Sequence, residues 1–498
     1  MTWLTFSTST VIQGHLATCK KRHRCFPIRL EKFCASYQIS SASLDCNHYK
    51  GNITIGSNGT YVYMRQITSV SFFLIFPFLA PILIHKFTTP STSSMSPLSN
   101  LDEVASSLLS LNGMRLQSSK CLQSLWAGYG EIARIVAISD NPESTTSVNS
   151  QTLIMKLVTP PASKADDEGH TRKILSYQVE QYFYSQLAPQ MPASIPVARC
   201  LATINQPRPK GASIIAMILS DLRQEFPIAG EKRDALSPTQ VSSALAWLSG
   251  FHGFWWSQVG NFDPSSLVLP PLEQLRRDDQ DTSQQTIWLN GGYTYLATRQ
   301  KEYANLAHDT DNEWSQKLTQ TIDGDNQAIA RLVAAFLAPK QHGNSSITDY
   351  QTVIHGDVKS ENLFTTNSGD QVAFYDFQYV GLGLGVCDLA KLFTCSVPLS
   401  MLVADETLPP QLPMQRGERA LLMRYLSKLK EESGKEYDWE TFVRHWEVAL
   451  VDWLRFQASW GFWGNTEWLE ARGRSILNDE GWRKFVRDGV ARSEKVQV

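Results

Sequence analysis

A two-lobed α+β fold is what the 498-residue sequence predicts: a small antiparallel-sheet lobe followed by a larger, mostly helical lobe. Three observations carry it. A polar loop over residues 355–362 lies between short apolar strands, and a second apolar strand returns to its end. Further apolar strands gather between residues 119 and 222 around one helical stretch. Beyond residue 240, apolar residues recur at helical spacing.

The loop reads Val353-Ile-His-Gly-Asp-Val-Lys-Ser-Glu-Asn-Leu-Phe364, with Asp357 and Asn362 five apart. A turn at 367–370 and a strand at 372–375 then deliver Asp376 beside it. Two carboxylates and one amide converge. Phosphoryl transfer needs this set: one carboxylate orients a hydroxyl and takes its proton, while the other, with the amide oxygen, holds magnesium against phosphates. Lys359 is placed to neutralise charge on the γ-phosphate.

These residues resemble the H-G-D-x-x-x-x-N and D-F-x motifs of the aminoglycoside phosphotransferase, choline kinase and ecdysteroid-kinase-like superfamily. Here they read His355-Gly356-Asp357 with Asn362, and Asp376-Phe377-Gln378. The resemblance implies a protein-kinase-like fold, ATP and Mg²⁺ as cofactors, and a small-molecule hydroxyl as acceptor. It implies Asp357 as catalytic base and Asn362 and Asp376 as metal ligands. Protein kinases share the mechanism but carry H-R-D, D-F-G and a later A-P-E. In this chain Gly356 replaces the arginine, Gln378 replaces the glycine, and no A-P-E follows. That points to a small substrate. A protein kinase and an inactive nucleotide-binding scaffold remain the alternatives, the second without positive support because every catalytic group is present. Asp388, in the next apolar stretch, is expected to cap a helix or brace the loop.

The small lobe, residues 96–220, supplies candidates for gripping the nucleotide. Leu125-Trp-Ala-Gly-Tyr-Gly130 reads as a turn between strands; Gly128 and Gly130 let backbone N–H groups approach phosphates, or simply make a hairpin. The strand at 152–158 contains Lys156, an edge residue or, by its position, the lysine on the phosphates. A helix over 176–184 offers Glu180 as its partner, ahead of Glu168, which reads as part of a polar loop. After a buried strand at 214–219, Ser220-Asp221-Leu222 reads as the hinge at the adenine, with Asp221 a candidate contact.

The large lobe, 221–498, is expected to hold helices at 241–256, 301–308, 312–338, 413–432 and 439–463. His252 reads as a packing residue. Paired glycines among aromatics at 288–299 suggest a turn near a binding surface. Trp446, Trp453 and Trp460 recur every seven residues, with Trp463 three further on, as a stripe on one helical face. The stripe packs the core or walls the acceptor pocket. Choline kinases, which this domain resembles, bind their cation among aromatics, and the same wall would serve an apolar alcohol.

Residues 1–95 read as an N-terminal extension unlike the rest. They contain a basic cluster, Lys20, Lys21, Arg22 and Arg24, and an uncharged run at 67–84 that reaches the lower limit for a membrane span. A Ser/Thr/Pro linker follows at 88–99. The run is a membrane anchor, a targeting signal, or part of a stretch outside a protein whose translation starts near Met95. Composition narrows the rest. A formal net charge of -2 offers no basic field to nucleic acid or acidic lipid, so membrane contact is expected only through 67–84. Eight cysteines without a C-x-x-C pair argue against zinc and for a reducing, cytoplasmic setting.

Overall fold

Asn100 starts the first helix, α1 (Leu101–Ser110), by accepting a hydrogen bond from the Glu103 N–H. The computed structural model describes residues 100–495, except 141–149, 162–166, 208–212, 278–284, 322–326, 340–347 and 405–406. The basic cluster, the apolar run at 67–84, the linker and Met95 lie outside the described residues. Ser91–Val498 forms one compact unit.

Five antiparallel strands build the small lobe: β1 (Met114–Ser124), β2 (Gly130–Ser139), β3 (Ser150–Val158), β4 (Cys200–Pro207) and β5 (Ser213–Ser220), in the order β1-β2-β3-β5-β4. Helix α2 (Glu168–Tyr182) joins β3 to β4. Alternation along the strands sorts the side chains. Leu153, Met155 and Leu157 of β3 and Ile214, Ala216 and Ile218 of β5 pack with Val104, Ala105, Leu108 and Leu109 of α1. Lys156 and Val158 therefore point to the other face, where Tyr177 of α2 lies. The expected single helix is two, because α1 falls in a Ser-rich stretch with no motif to mark it. Glu168 is also not in a loop. It is the first residue of α2, whose N-cap Asp167 accepts from the His170 N–H.

The large lobe opens with β6 (Ile228–Ala229) and α3 (Pro238–Trp256), which starts at a capping box between Ser237 and Gln240. Then come α4 (Pro271–Gln274), α5 (Gln300–His308), α6 (Glu313–Thr319) and α7 (Ile329–Leu337). The site region follows: β7 (Gln351–Ile354), β8 (Leu363–Thr365), β9 (Val372–Phe374), β10 (Gly381–Leu384) and α8 (Val386–Cys395). The strands flanking the polar loop do not pair with each other. β7 pairs with β10, while β8 pairs with β6 and β9, so the loop bridges two small antiparallel sheets. The chain closes with α9 (Leu399–Leu402), α10 (Arg416–Ser433), α11 (Trp439–Trp460), α12 (Thr466–Leu477) and α13 (Glu480–Lys495). The stretch read as one helix at 312–338 is α6 and α7, and the sequence reading missed α12 and α13. Trp446 and Trp453 are buried in the core, as a packing stripe requires, but Trp460 is 54% exposed. Helix α11 stops at Gly461, so Trp463 is not on the stripe's helical face. Among the described residues no helix is long and apolar enough to cross a membrane.

Candidate active site

The loop between β7 and β8 is held from beneath by α8. Asp388, fully buried, accepts from the N–H groups of His355 at 2.7 Å and Gly356 at 2.9 Å. Its Oδ2 lies 3.2 Å from His252 Nε2, and the other nitrogen of His252 meets the Tyr425 hydroxyl at 2.8 Å. Burial opposes the Asp388 charge, but the His252 hydrogen bond and nearby cations hold its carboxyl below the usual range. Of the two roles expected of Asp388, it takes the brace: α8 has no side-chain cap. Gly356 has φ +85°, and a Cβ there would lie 2.2 Å from Tyr379 O and 2.7 Å from Gly292 N. No side chain fits, which excludes the arginine that protein kinases carry at this place. Lys391 Nζ, also on α8, donates to Gly356 O at 2.7 Å.

His355 joins this loop to the next one. Its Nδ1 accepts from the Asp357 N–H at 3.2 Å and its Nε2 donates to Tyr375 O at 3.0 Å. Burial pushes its pKa down despite the nearby Asp388 and Asp357, which suits a neutral ring. Asp357 Oδ2 accepts from Asn362 Nδ2 at 3.0 Å and lies 3.1 Å from Lys359 Nζ. Asn362 Nδ2 also donates to Asp357 O at 2.8 Å, so its amide nitrogen is committed and Oδ1 is the end left for another partner. Lys359 also faces Glu361 at 3.5 Å. Burial lowers the Lys359 pKa, but Asp357 and Glu361 outweigh it and hold the ammonium above its ordinary value.

Lys156 comes from the opposite lobe. Its Nζ is 2.5 Å from Glu180 Oε2 on α2 and 3.4 Å from Asp376 Oδ1. Burial depresses its pKa, yet two carboxylates prevail and the lysine stays protonated well above its usual range. Asp376 has φ +66°, in the left-handed region that Asp tolerates better than most residues. Its Oδ1 also accepts from Gln378 Nε2 at 2.7 Å, and Gln378 Oε1 accepts from Ser176 of α2 at 3.2 Å. Phe377 lies in the core, stacked on Phe183 at a centroid distance of 3.8 Å. The Tyr375 N–H donates to Asn362 O at 3.0 Å, tying the Asp376 turn to the Asp357 loop. Asp376 and Asn362 offer a carboxylate and an amide oxygen, the hard donors that suit Mg²⁺. Among the described residues no group of three His, Cys, Asp or Glu could hold a metal.

The remaining candidates differ in what occupies them. Gly130 has φ +135°, and a Cβ would lie 2.0 Å from Leu157 O, so this glycine lets β2 lie against β3. Gly128 has φ +73° with nothing within 4 Å of a Cβ. The turn at 125–130 exposes Trp126 and has Ala127 at φ 56°. Asp221 caps the short turn Leu222–Gln224 by accepting from the Arg223 N–H at 3.1 Å, and it takes the Arg223 guanidinium at 2.7 and 2.8 Å. Its carboxylate is thus engaged locally, and the hinge reading rests on backbone groups.

Sequence reasoning missed Lys391, Tyr293 and Arg299. The ring of Tyr293 lies 5.1 Å from that of Tyr379, and its phenol is pushed up by burial first and by the Asp357 charge second. Arg299, 4% exposed, centres its guanidinium 5.3, 5.7 and 5.2 Å from the rings of Tyr293, Phe456 and Trp460. The paired glycines at 291–292 signalled this segment. Nothing local signalled Arg299, whose ring partners Phe456 and Trp460 lie more than 150 residues away.

No curated protein matches the chain. Solved structures similar to it include a macrolide 2'-phosphotransferase from Brachybacterium faecium, 10% identical, covering 78% of this chain and 98% of that one, with a TM-score of 0.36. A choline kinase from Cryptosporidium parvum is 11% identical, covering 78% and 89%, with a TM-score of 0.32. An amicoumacin kinase in complex with AMP-PNP and Ca²⁺ is 11% identical, covering 75% and 87%, with a TM-score of 0.35. The sequence profile of the ecdysteroid kinase-like family matches residues 130–407. With more than half of its length matched by that profile, from the start of β2 to beyond α9, the chain belongs to the ecdysteroid kinase-like family.

Proposed function

We propose that this chain transfers the γ-phosphate of MgATP to a hydroxyl of a small molecule. One observation carries the reading: Lys156, reaching across from the sheet, meets both Glu180 and Asp376, next to a loop where Asp357 is bonded to Asn362 and Lys359. Glu180 fixes Lys156 on the phosphates. Asp376 and Asn362 Oδ1 would hold Mg²⁺, which when bound neutralises phosphate charge. Asp357 orients the acceptor hydroxyl and takes its proton as oxygen bonds to the γ-phosphorus and the bond to ADP breaks. Lys359 offsets charge on the moving phosphoryl group. The backbone at Gly128 and Gly130 lies along the phosphates, and the backbone at 220–222, with Asp221 shaping it, meets the adenine. ATP turnover against panels of alcohols and of peptides tests this. Transfer confined to peptides would overturn it. Asp376→Asn should lose most of the magnesium dependence of ATP binding, and equal dependence in the two proteins would place the metal elsewhere.

The acceptor in this reading is uncharged. The faces of Tyr293, Phe456 and Trp460 are already taken up by the Arg299 guanidinium. An acceptor cation would forfeit those faces and meet a like charge. Choline and its neutral isostere 3,3-dimethylbutan-1-ol make the comparison. The neutral alcohol should be the better acceptor by about tenfold or more in kcat/KM, and a preference for choline would sink the assignment.

A further inference from the structure

Helix α8 sends two charged side chains to one point of the loop at 355–362. Asp388 takes the N–H groups of His355 and Gly356, and Lys391, one turn later, gives a hydrogen bond to Gly356 O at 2.7 Å. Lys391 is 4% exposed. Burying an ammonium is costly, and a bond to a neutral carbonyl repays that cost only in part. An apolar side chain of the same length would fill the space without it. The room for the ammonium is made by a glycine: Gly292 has φ +98°, and a Cβ there would lie 2.9 Å from Lys391 Nζ. A charge kept in so tight and dry a place has a use beyond packing.

The bond from Lys391 is the first of a series. Gly356 O and the Asp357 N–H are the two ends of one peptide group. Lys391 holds the oxygen, and the N–H is donated to His355 Nδ1 at 3.2 Å. The same ring gives its Nε2–H to Tyr375 O at 3.0 Å. Tyr375 O belongs to the peptide group that leads into Asp376, just as Gly356 O belongs to the one that leads into Asp357. Hydrogen bonds in series polarise one another, so a cation on the oxygen makes the N–H at the other end a stronger donor. The peptide groups that carry the two acids are thus joined through one imidazole, and Lys391 anchors the end of the series.

We propose that Lys391 is a positioning residue for phosphoryl transfer: by fixing the peptide group between Gly356 and Asp357 it sets, through the His355 ring, the placing of Asp357 relative to Asp376. The inference rests on the phosphotransfer reading above. Lys391 acts through Asp357, not on the reacting atoms.

ATP turnover by the full chain, with water and with 3,3-dimethylbutan-1-ol as acceptors, tests this. Lys391→Met keeps the apolar stem and removes the N–H groups. It should lower kcat about tenfold to hundredfold with either acceptor while the KM for ATP stays within about twofold. A merely structural lysine would lose ATP affinity and resistance to urea along with the rate. Lys391→Ala joins the space of the stem to the partly open cavity of about 230 Å³ that Lys391 lines. There propylamine should restore kcat saturably, by about fivefold or more, and tetramethylammonium, a cation without an N–H, should not. If Lys391→Met does not fold, Lys391→Ala with and without propylamine makes the same comparison. The inference fails if the variant keeps kcat within about threefold of the parent, if the KM for ATP rises as far as kcat falls, or if propylamine restores no more than tetramethylammonium. A parent that leaves ATP intact with both acceptors overturns the phosphotransfer reading instead. The series of bonds is then read by ¹⁵N NMR of the imidazoles: the His355 Nδ1 resonance should move in Lys391→Met, and an unmoved resonance would show that Lys391 does not hold that peptide group.

Discussion

The loop at 355–362 and the turn at 125–130 are built on opposite plans. In the loop at 355–362 the backbone is fastened at each step: Asp388 takes two N–H groups, Lys391 takes a carbonyl, and His355 takes another N–H. The turn at 125–130 is closed by its own backbone, with Leu125 N–H to Gly130 O at 2.7 Å, Gly128 N–H to Leu125 O at 3.2 Å and Tyr129 N–H to Trp126 O at 3.4 Å, while Trp126 is 72% exposed and Gly128 has nothing within 4 Å of a Cβ. A base that must meet one hydroxyl needs fixed coordinates. A turn proposed to lie along phosphates presents backbone to them, not a side chain. The difference teaches that the loop is placed by side chains rooted in the helical lobe, while the turn on the sheet lobe is closed by its own backbone.

The contrast can be broken most severely at the base itself. Asp357→Ala should cost on the order of 10²–10⁴ in the transfer rate with ATP binding kept. Single-turnover assays check this, and a rate within about threefold of the parent would remove Asp357 from the role. The brace comes next. Asp388→Ala strands two buried N–H groups and should destabilise the chain by about 3–5 kcal/mol, read from urea unfolding. A loss under about 1 kcal/mol would mean the loop is held by other bonds.

A third test separates the site from the far core by pH. Both His355 and His445 are lowered by burial, but carboxylates oppose the shift at His355, whereas His445 is brought down to about 4 from 6.5 by burial alone. Between those two values the unfolded chain binds a proton that the folded chain refuses. Stability therefore rises with pH through that window, is fully present above 6.5, and falls as pH drops, levelling off below about 4. The loss should approach about 3 kcal/mol, and His445→Gln should flatten it. An unchanged slope in that variant would assign the acid sensitivity elsewhere. The smallest effects belong to the turn. Gly130→Ala meets Leu157 O as well as an unfavourable φ and should cost roughly 2 kcal/mol or more, against about 1 for Gly128→Ala, where only φ is strained. Equal losses in thermal melts would show that the two glycines answer to the same constraint.

Much of the site was legible because its chemistry sits in side chains at fixed spacing. Asp357 and Asn362 are five apart, and Lys156 is a lone charge in an apolar strand whose partner had to lie on the following helix. The structure brings Lys156 and Glu180 together as that reading expects. The residues that escaped are those whose meaning is set by distant partners. Lys391 looks like any helical lysine until its bond to Gly356 is seen, and Arg299 acquires its rings from α11. In the fold, strands and long amphipathic helices were readable from periodicity. Helix α1 and the terminal pair α12 and α13 were not, because their apolar faces carry no motif and are defined by what they cover. Trp463 misled for a simpler reason: its three-residue step from Trp460 is a helical spacing in sequence, but the helix has already ended at Gly461.

The stack of Phe183 on Phe377 has a mechanical consequence. Phe183 follows Glu180 by three residues and Phe377 follows Asp376 by one, and their rings lie 3.8 Å apart at 15°. The two carboxylates that grip Lys156 are therefore mounted on one buried strut joining α2 to the turn after β9. Swinging the helix outward would part the rings and open a void in a core both of them fill. The spacing between the two acids is thus built into the folded chain itself, and a smaller residue at either ring position would turn that rigid mounting into a hinge.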